Sequence, residues 1–312
     1  MNILITAIGS MSAACAISKL KEKGHFIVGC DIYPGEWHHE TKLCDVFIQA
    51  PFATKEDVYC QFLVDTCKKH NLQYIIPLTD LEIDVINRNR SYFKDTGIHL
   101  CMQSADVLVL ARDKYALYNF FKDDPFVPSI RTFKFSNLPE TIDFHCVAKP
   151  FNGRSSEGLL LDATREQLNA IKNKDVYIIQ EMIDGEVFTV DYCRSSKFST
   201  DVAIPRQELL RTKNGAGTSV EITPDDSLIE LTRHIGSKLN INGCVNMEFV
   251  ENNGKYYLID INPRFSAGVA FSVLCGYDMI NSHMACMEGK EIQGQIKLTK
   301  QIIIKKYIEV IQ

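Results

Sequence analysis

The chain has 312 residues, 46% of them hydrophobic, with a formal net charge of -5 and 11 cysteines. That length and apolar content supply core for two or three packed layers and more than one domain. The acidic balance, with no long basic run, argues against nucleic acid as the main partner, and no run of about 18 apolar residues indicates a membrane span.

The cysteines are scattered, odd in number and without a CxxC pair, in a chain too long to need disulfide staples. "MNILITAIGS" lacks the basic segment and cleavage pattern of a signal peptide, so a reducing cytoplasm is the expected compartment. "NILITAI" (2–8) predicts a strand, "MSAACAISKLKEKG" a helix of small residues, and "HFIVGCDI" an apolar strand ending in Asp31, together a βαβ unit. The helical "KEDVYCQFLVDTCKKHN", the strand "LQYIIPL" and a helix from Thr79 continue the alternation, which predicts a Rossmann-like parallel sheet. A strand, a tight turn and a second strand ending in an acid also open nicotinamide-binding domains, so an oxidoreductase is one alternative. Against it, Gly9 is the only glycine in "AIGSMSA", where a phosphate-binding turn has three. "TDLE" (79–82) reads as a capping box, and "WHHE" (37–40) as a solvated loop whose adjacent side chains diverge.

Further along, "DKYALYNFF" predicts a helix carrying Lys114. In "HCVAKPFNGRSSEGLLL" a strand delivers Lys149 and ends at Pro150; a loop runs from Asn152 to Gly158, and a return strand follows. Gly153 and Gly158 let the backbone turn and present its N–H groups, which with Arg154, Ser155 and Ser156 can close over phosphate oxygens. No GxxxxGK[ST] is present, and an ordinary hairpin with a surface lysine is the competing reading. "VYIIQEMIDGEVFTVDYC" reads as a hairpin turning at Asp184–Gly185, with Gln180, Glu181 and Ile183 where the chain leaves the sheet.

The most informative stretch is "CVNMEFVENNGKYYLIDINPRF". With Asn252, Asn253 and Gly254 as a three-residue loop, Glu251 pairs with Lys255 and Glu248 lies opposite Leu258, diagonal to Asp260. Asp260 and Asn262 then share its face, while Ile259 and Ile261 turn to a core. Carboxylates so close repel unless a cation intervenes, and magnesium suits two acids and an amide because it completes its octahedron with water and phosphate. Pro263 stops the ladder and directs Arg264, a forked donor for phosphate, to the same place.

On these residues the chain resembles the ATP-grasp enzymes, and among them the branch similar to the carbamoyl phosphate synthase large subunit. The fold implied is α/β and α+β: a Rossmann-like pre-ATP-grasp domain (1–105), an ATP-grasp N-terminal lid subdomain (106–185) and a C-terminal subdomain with the metal site (186–312). The resemblance implies ATP with one or two magnesium ions, manganese being a substitute, held by Glu248, Asp260 and Asn262. It implies that Arg264 steadies the phosphoryl group, that Lys149 and Lys114 contact phosphates, that "NGRSSEG" closes on them, and that Glu181 and Ile183 flank the adenine. The family places a ribose-binding carboxylate where this chain has Val187; Glu186 is one residue early, on the other strand face, and Asp191 is further along.

The activity expected is an ADP-forming ligation in which a carboxylate becomes an acyl phosphate and is captured by an amine. Arg206 and Arg211, in "IPRQELLRTKNGAG", are candidates for gripping the carboxylate or acyl phosphate, with an exposed basic loop as the competing reading. The partners expected are small-molecule carboxylate and amine substrates, neither nucleic acid nor membrane, with a homodimer left open. A non-catalytic nucleotide-binding module is the remaining alternative, against which stand Lys149, Glu248, Asp260 and Asn262.

Overall fold

A computed structural model describes every residue except Glu140 and Ser155. The N-terminal region runs β1 (Asn2–Ile5), α1 (Ala13–Glu22), β2 (Phe26–Asp31), β3 (Val46–Gln49), α2 (Glu56–His70), β4 (Tyr74–Ile76), α3 (Asp80–Arg88) and β5 (His99–Leu100). Its strands form a parallel sheet in the order β3-β2-β1-β4-β5. After Asn2, β1 is apolar because both its faces are covered: Ile3 and Ile5 pack with α1, while Leu4 packs with Tyr59 and Leu63 of α2 and Ile83 of α3. The short strands β3 and β5 carry too few residues for a period to show, and the sequence pattern did not reveal them.

Two local expectations are corrected in this region. "TDLE" is not a capping box, since Thr79 makes no side-chain cap bond. Glu82 is instead buried and accepts from the hydroxyls of Thr6, Tyr59 and Thr79 at 2.8, 2.7 and 2.7 Å. Burial raises its pKa against those three donors. In "WHHE" Trp37 and His39 are exposed as expected, but His38 turns inward and places Nε2 3.3 Å from Asp31 Oδ1.

The chain continues through α4 (Ala105–Ala111), α5 (Lys114–Phe121), β6 (Thr132–Lys134), β7 (Cys146–Pro150), α6 (Arg165–Ala170) and β8 (Tyr177–Glu181). The three strands form an antiparallel sheet, β6-β8-β7, over a small core of Cys146, Ala148, Leu168 and Ile179. The return strand expected after Gly158 is reduced to one bridge, Leu160 with Ala148.

The C-terminal region contains β9 (Glu186–Ser195), β10 (Thr200–Arg211), β11 (Gly217–Ile222), α7 (Asp226–Lys238), β12 (Gly243–Asn252), β13 (Lys255–Asn262), α8 (Val269–Leu274), α9 (Met279–Met287) and β14 (Gln301–Ile304). Its antiparallel sheet has the order β13-β12-β9-β10-β11-β14. β8 and β9 therefore do not form the expected hairpin: residues 182–185 carry the chain from one sheet to the other.

Alternation along the long strands sorts their side chains onto two faces. Val190, Tyr192, Met247, Phe249 and Ile261 pack with Leu228 and Ile235 of α7. On the opposite face Cys193, Val202, Ile204 and Cys244 share a core with Ile3 of β1, Ile17 of α1 and Met284 of α9. Beyond that apolar half, the same face becomes polar and opens into a cavity.

Candidate functional site

The register of the large sheet builds two polar rows. One runs Asn262, Asn246, Asp191 across β13, β12 and β9; the next runs Asp260, Glu248, Thr189, Arg206 and reaches β10. The hairpin register differs from expectation. Asn252 pairs with Lys255, leaving a two-residue turn in which Asn253 and Gly254 both have positive φ (52° and 75°), the geometry that suits strand twist. A bulge then follows, because Phe249 pairs with Leu258 but Glu248 pairs with Asp260. Ile259 is the extra residue, and the bulge sets the carboxylates directly opposite instead of diagonal. Ile261 stays in the core, but Ile259 lines the cavity and its carbonyl lies 3.4 Å from Lys149 Nζ.

Each carboxylate has gathered a basic side chain. Asp260 Oδ1 is 3.1 Å from Lys114 Nζ, which also donates to Gly153 O at 3.1 Å. Glu248 Oε2 accepts from Arg211 Nη2 at 2.8 Å, and its Oε1 from Asn262 Nδ2 at 3.4 Å. Burial raises the Glu248 pKa, opposed by Arg211. Burial, then neighbouring Lys114, push the Lys149 ammonium down to about 8 against the pull of Asp260 and Glu248. Among the described residues no group of three or more His, Cys, Asp or Glu side chains could hold a metal. The donor set at the hairpin, two acids and an amide already attracting cations, fits an ion that takes its other ligands from water and phosphate.

The cavity encloses about 670 Å³ between the two antiparallel sheets. Lys114, Lys149, Glu248, Asp260, Asn262 and Arg264 all line it, as do Gly153, Arg154, Ser156, Glu181, Ile183 and Val187. Ser155 lies outside the described residues. Glu186 does not face the cavity; it is exposed and accepts from Gln207 Nε2 at 3.0 Å. The side chain of Glu181 pairs with Arg131 at 2.9 Å.

The two arginines of "IPRQELLRTKNGAG" are not an exposed loop. Arg211 reaches Glu248, whereas Arg206, on β10, is 2% exposed and donates to Asp191 Oδ2 (2.8 Å), Glu208 Oε1 (3.2 Å) and Ser266 Oγ (3.2 Å). Arg264 is likewise engaged: Asp80 takes its Nε and Nη2 at 3.0 Å each, and Nη2 also donates to Asn262 Oδ1 at 3.2 Å.

Asp80, Arg112 and Glu208 were missed by sequence reasoning, and Asp191 was considered only in relation to the ribose. Asp80 is buried at the start of α3; burial raises its pKa, but Arg264 and then Arg112 more than offset this and hold it low. Arg112 pairs in turn with Asp84 at 2.9 Å. The only sequence signal for Asp80 was the strand-end position of "TDLE", which a capping explanation absorbed. Glu208, which lines the cavity, and the buried Asp191 were readable as partners of Arg206 only once strand pairing placed them beside it.

The ATP-grasp domain model matches residues 111–268, just over half of the chain, and a PylC-like N-terminal domain model matches residues 3–101. The carbamoyl phosphate synthase large chain of Thermoplasma acidophilum is 22% identical over 291 residues, covering 84% of this chain and 27% of that protein. That of Agathobacter rectalis is 24% identical over 138 residues, covering 41% of this chain and 13% of the relative. This chain thus spans about a quarter or less of the curated relatives it matches. Among solved structures, N5-carboxyaminoimidazole synthetase from Staphylococcus aureus complexed with ADP superposes with a TM-score of 0.76 at 14% identity, over 97% of this chain and 81% of that one. The biotin carboxylase domain dimer of Hydrogenobacter thermophilus 2-oxoglutarate carboxylase, in complex with MgADP, ADP and bicarbonate, gives 0.74 at 16% identity, over 94% and 71%. These likenesses show the fold.

Proposed function

The chain belongs to the ATP-grasp domain family, and from that premise we propose that it is an ATP- and magnesium-dependent, ADP-forming ligase that joins a carboxylate to an amine. The observation that carries the reading is the facing pair Glu248 and Asp260, each holding a basic side chain, beside Lys149 on the wall of the cavity between the two antiparallel sheets. Carboxylates arranged only for stability would be satisfied by fixed donors; these are matched by side chains that can move to a triphosphate. The proposed organisation has three units, 1–105, 106–185 and 186–312.

Lys149 and Lys114 are assigned to the phosphates, with Gly153, Arg154, Ser155 and Ser156 as the segment over them. The N–H groups of Glu181 and Met182 are taken by the carbonyls of Arg131 and His145, so reading of the base edge falls to Ile183. Val187, not Glu186, faces the nucleotide region, and ribose recognition is not assigned to a carboxylate. Glu248, Asp260 and Asn262 would hold magnesium, and the ion would supply charge neutralisation for the phosphates. A substrate carboxylate oxygen attacks the γ-phosphorus and the bond to ADP breaks; the neutral amine nitrogen then attacks the acyl carbon, phosphate leaves, and the nitrogen gives up one proton to solvent. Arg211 and Arg264, whose guanidinium groups border this end, are assigned to the developing charge. Arg206, a sequence candidate for gripping the carboxylate or acyl phosphate, is given the different role of holding Asp191 and Glu208 in place.

The nicotinamide alternative fails on the first turn. Asp31 accepts from Gly9 N–H at 3.0 Å and Tyr33 N–H at 3.2 Å, and a Cβ added at Gly9 would meet His38 Cε1 at 2.5 Å. His38 fills the space over the turn where a pyrophosphate would need to approach. The test is an ADP-release screen over small carboxylates and amines with MgATP, accompanied by thermal shifts. MgATP should raise Tm and NADH should not; stabilisation by NADH alone would overturn the assignment.

A further inference from the structure

The deep end of the cavity holds acceptors that lack donors. Glu208 is 2% exposed at its side chain, and its Oε1 receives Arg206 Nε while its Oε2 has no hydrogen-bond partner among the described residues. Asn246, 5% exposed and further along the same sheet face, has an equally unmatched Oδ1. Both residues line the cavity. A buried acceptor without a donor is costly, and a charged one more so.

The nearby donors are already engaged. The other bonds of Arg206 go to Asp191 and Ser266. Arg211 goes to Glu248 and to Gly215 O, and Lys305 Nζ donates to Ala267 O at 2.7 Å. Gly217, on the neighbouring strand β11, keeps room for the unmatched oxygen: a Cβ there would lie 2.0 Å from Glu208 Oε2. A ligand completing this end must therefore bring hydrogen-bond donors, and a buried carboxylate prefers them on a cation.

We propose that Glu208 is the binding residue for a primary ammonium group of a substrate, a second amino group on the carboxylate or the amine substrate that does not itself react and is recognised there in its charged form. This rests on the ligase reading for its meaning but not for its test. The protein with MgADP is titrated calorimetrically with glycine, lysine and 1,4-diaminobutane, and with the hydroxyl counterparts glycolate, 6-hydroxynorleucine and 1,4-butanediol. At least one ammonium probe should bind, with its hydroxyl counterpart weaker by about tenfold or more. Glu208→Gln, which removes the charge, and Gly217→Ala, whose methyl displaces the carboxylate from outside, should each weaken that probe by about tenfold or more while MgADP affinity is unchanged. If Glu208→Gln fails to fold, Gly217→Ala decides. The proposal is overturned if no ammonium probe binds, if hydroxyl counterparts bind equally, or if the folded variants keep wild-type affinity. ADP release is read separately: turnover in variants that bind ammonium normally sinks this subsite alone, whereas ammonium binding without ADP release for any pair sinks the ligase reading alone.

Discussion

Two sets of carboxylates on largely apolar strands of this molecule differ in what satisfies the charge. At the end of β2, Asp31 is bonded by the backbone N–H groups of Gly9 and Tyr33 and lies against His38, which seals the turn. On the β12–β13 hairpin, Glu248 and Asp260 face each other and are matched by Arg211 and Lys114, long side chains beside an open cavity. Backbone donors cannot leave without unfolding the segment, whereas a lysine or arginine can turn to a ligand. Carboxylates of the first kind are structural; those of the second kind are available for chemistry.

The largest effect expected is on stability, from a third arrangement in which a buried cation is the fixed partner. Arg206→Ala leaves Asp191 and Glu208 buried without their counter-charge and should cost about 3–5 kcal/mol in denaturant unfolding. A loss confined to turnover, with unchanged stability, would mean that Arg206 is a movable residue and that fixed and movable partners are not distinct.

Next comes Asp260→Asn, which keeps shape and removes one charge. ADP release at limiting magnesium should fall by about 10²- to 10³-fold, while the protein stays folded. If the hairpin were only a turn, asparagine would serve as well, and wild-type turnover in this variant would reduce the hairpin to the status of the β2 end.

The matching change at the other place, Asp31→Asn, should show the reverse: a stability loss of about 1–3 kcal/mol with nucleotide affinity unchanged. A loss of MgATP binding without a loss of stability would reinstate the first turn as a nucleotide site.

The smallest effect is in pH dependence. Lys149, pushed down to about 8, is protonated in the fold below that value, so phosphate binding should be constant at lower pH and weaken as pH rises through about 8. Stability should move oppositely. Between about 8 and the ordinary lysine value near 10.5 the unfolded chain binds more protons at this group than the folded one, so this group's contribution rises with pH across that window and is at its lowest below it. Lys149→Arg, whose guanidinium does not titrate there, should flatten the binding profile; a wild-type slope in that variant would assign the titration to another group.

Much of the molecule was legible because local chemistry and tertiary role agree. The alternation of apolar strands and amphipathic helices announced the parallel sheet, since strands buried on both faces need continuous apolar runs. Asp260 and Asn262 could be put on one face by the period of a strand, and Glu248 joined them once the two strands were read as a hairpin. Lys149, at the end of its strand, and Lys114, at the start of its helix, were readable for the same reason.

What failed depended on pairing. The two-residue turn and the bulge at Ile259 change which residue opposes Glu248, and a bulge leaves no mark in hydrophobic alternation. β8 and β9 looked like a hairpin because the turn residues Asp184 and Gly185 do not say whether the following strand returns to the same sheet. Thr79 and Glu82 had the spacing of a cap, but burial sent the glutamate to Thr6 and Tyr59. Sequence by itself determined the composition of the elements and the polar face of the hairpin, because both follow from contacts a few residues apart. Only the tertiary structure decided that Asp80 holds Arg264 across 184 residues and that Arg206, 15 residues from Asp191, is sealed between two acids. Such partners are chosen by the order in which strands and domains pack, and that order is carried by the whole core, not by any one stretch.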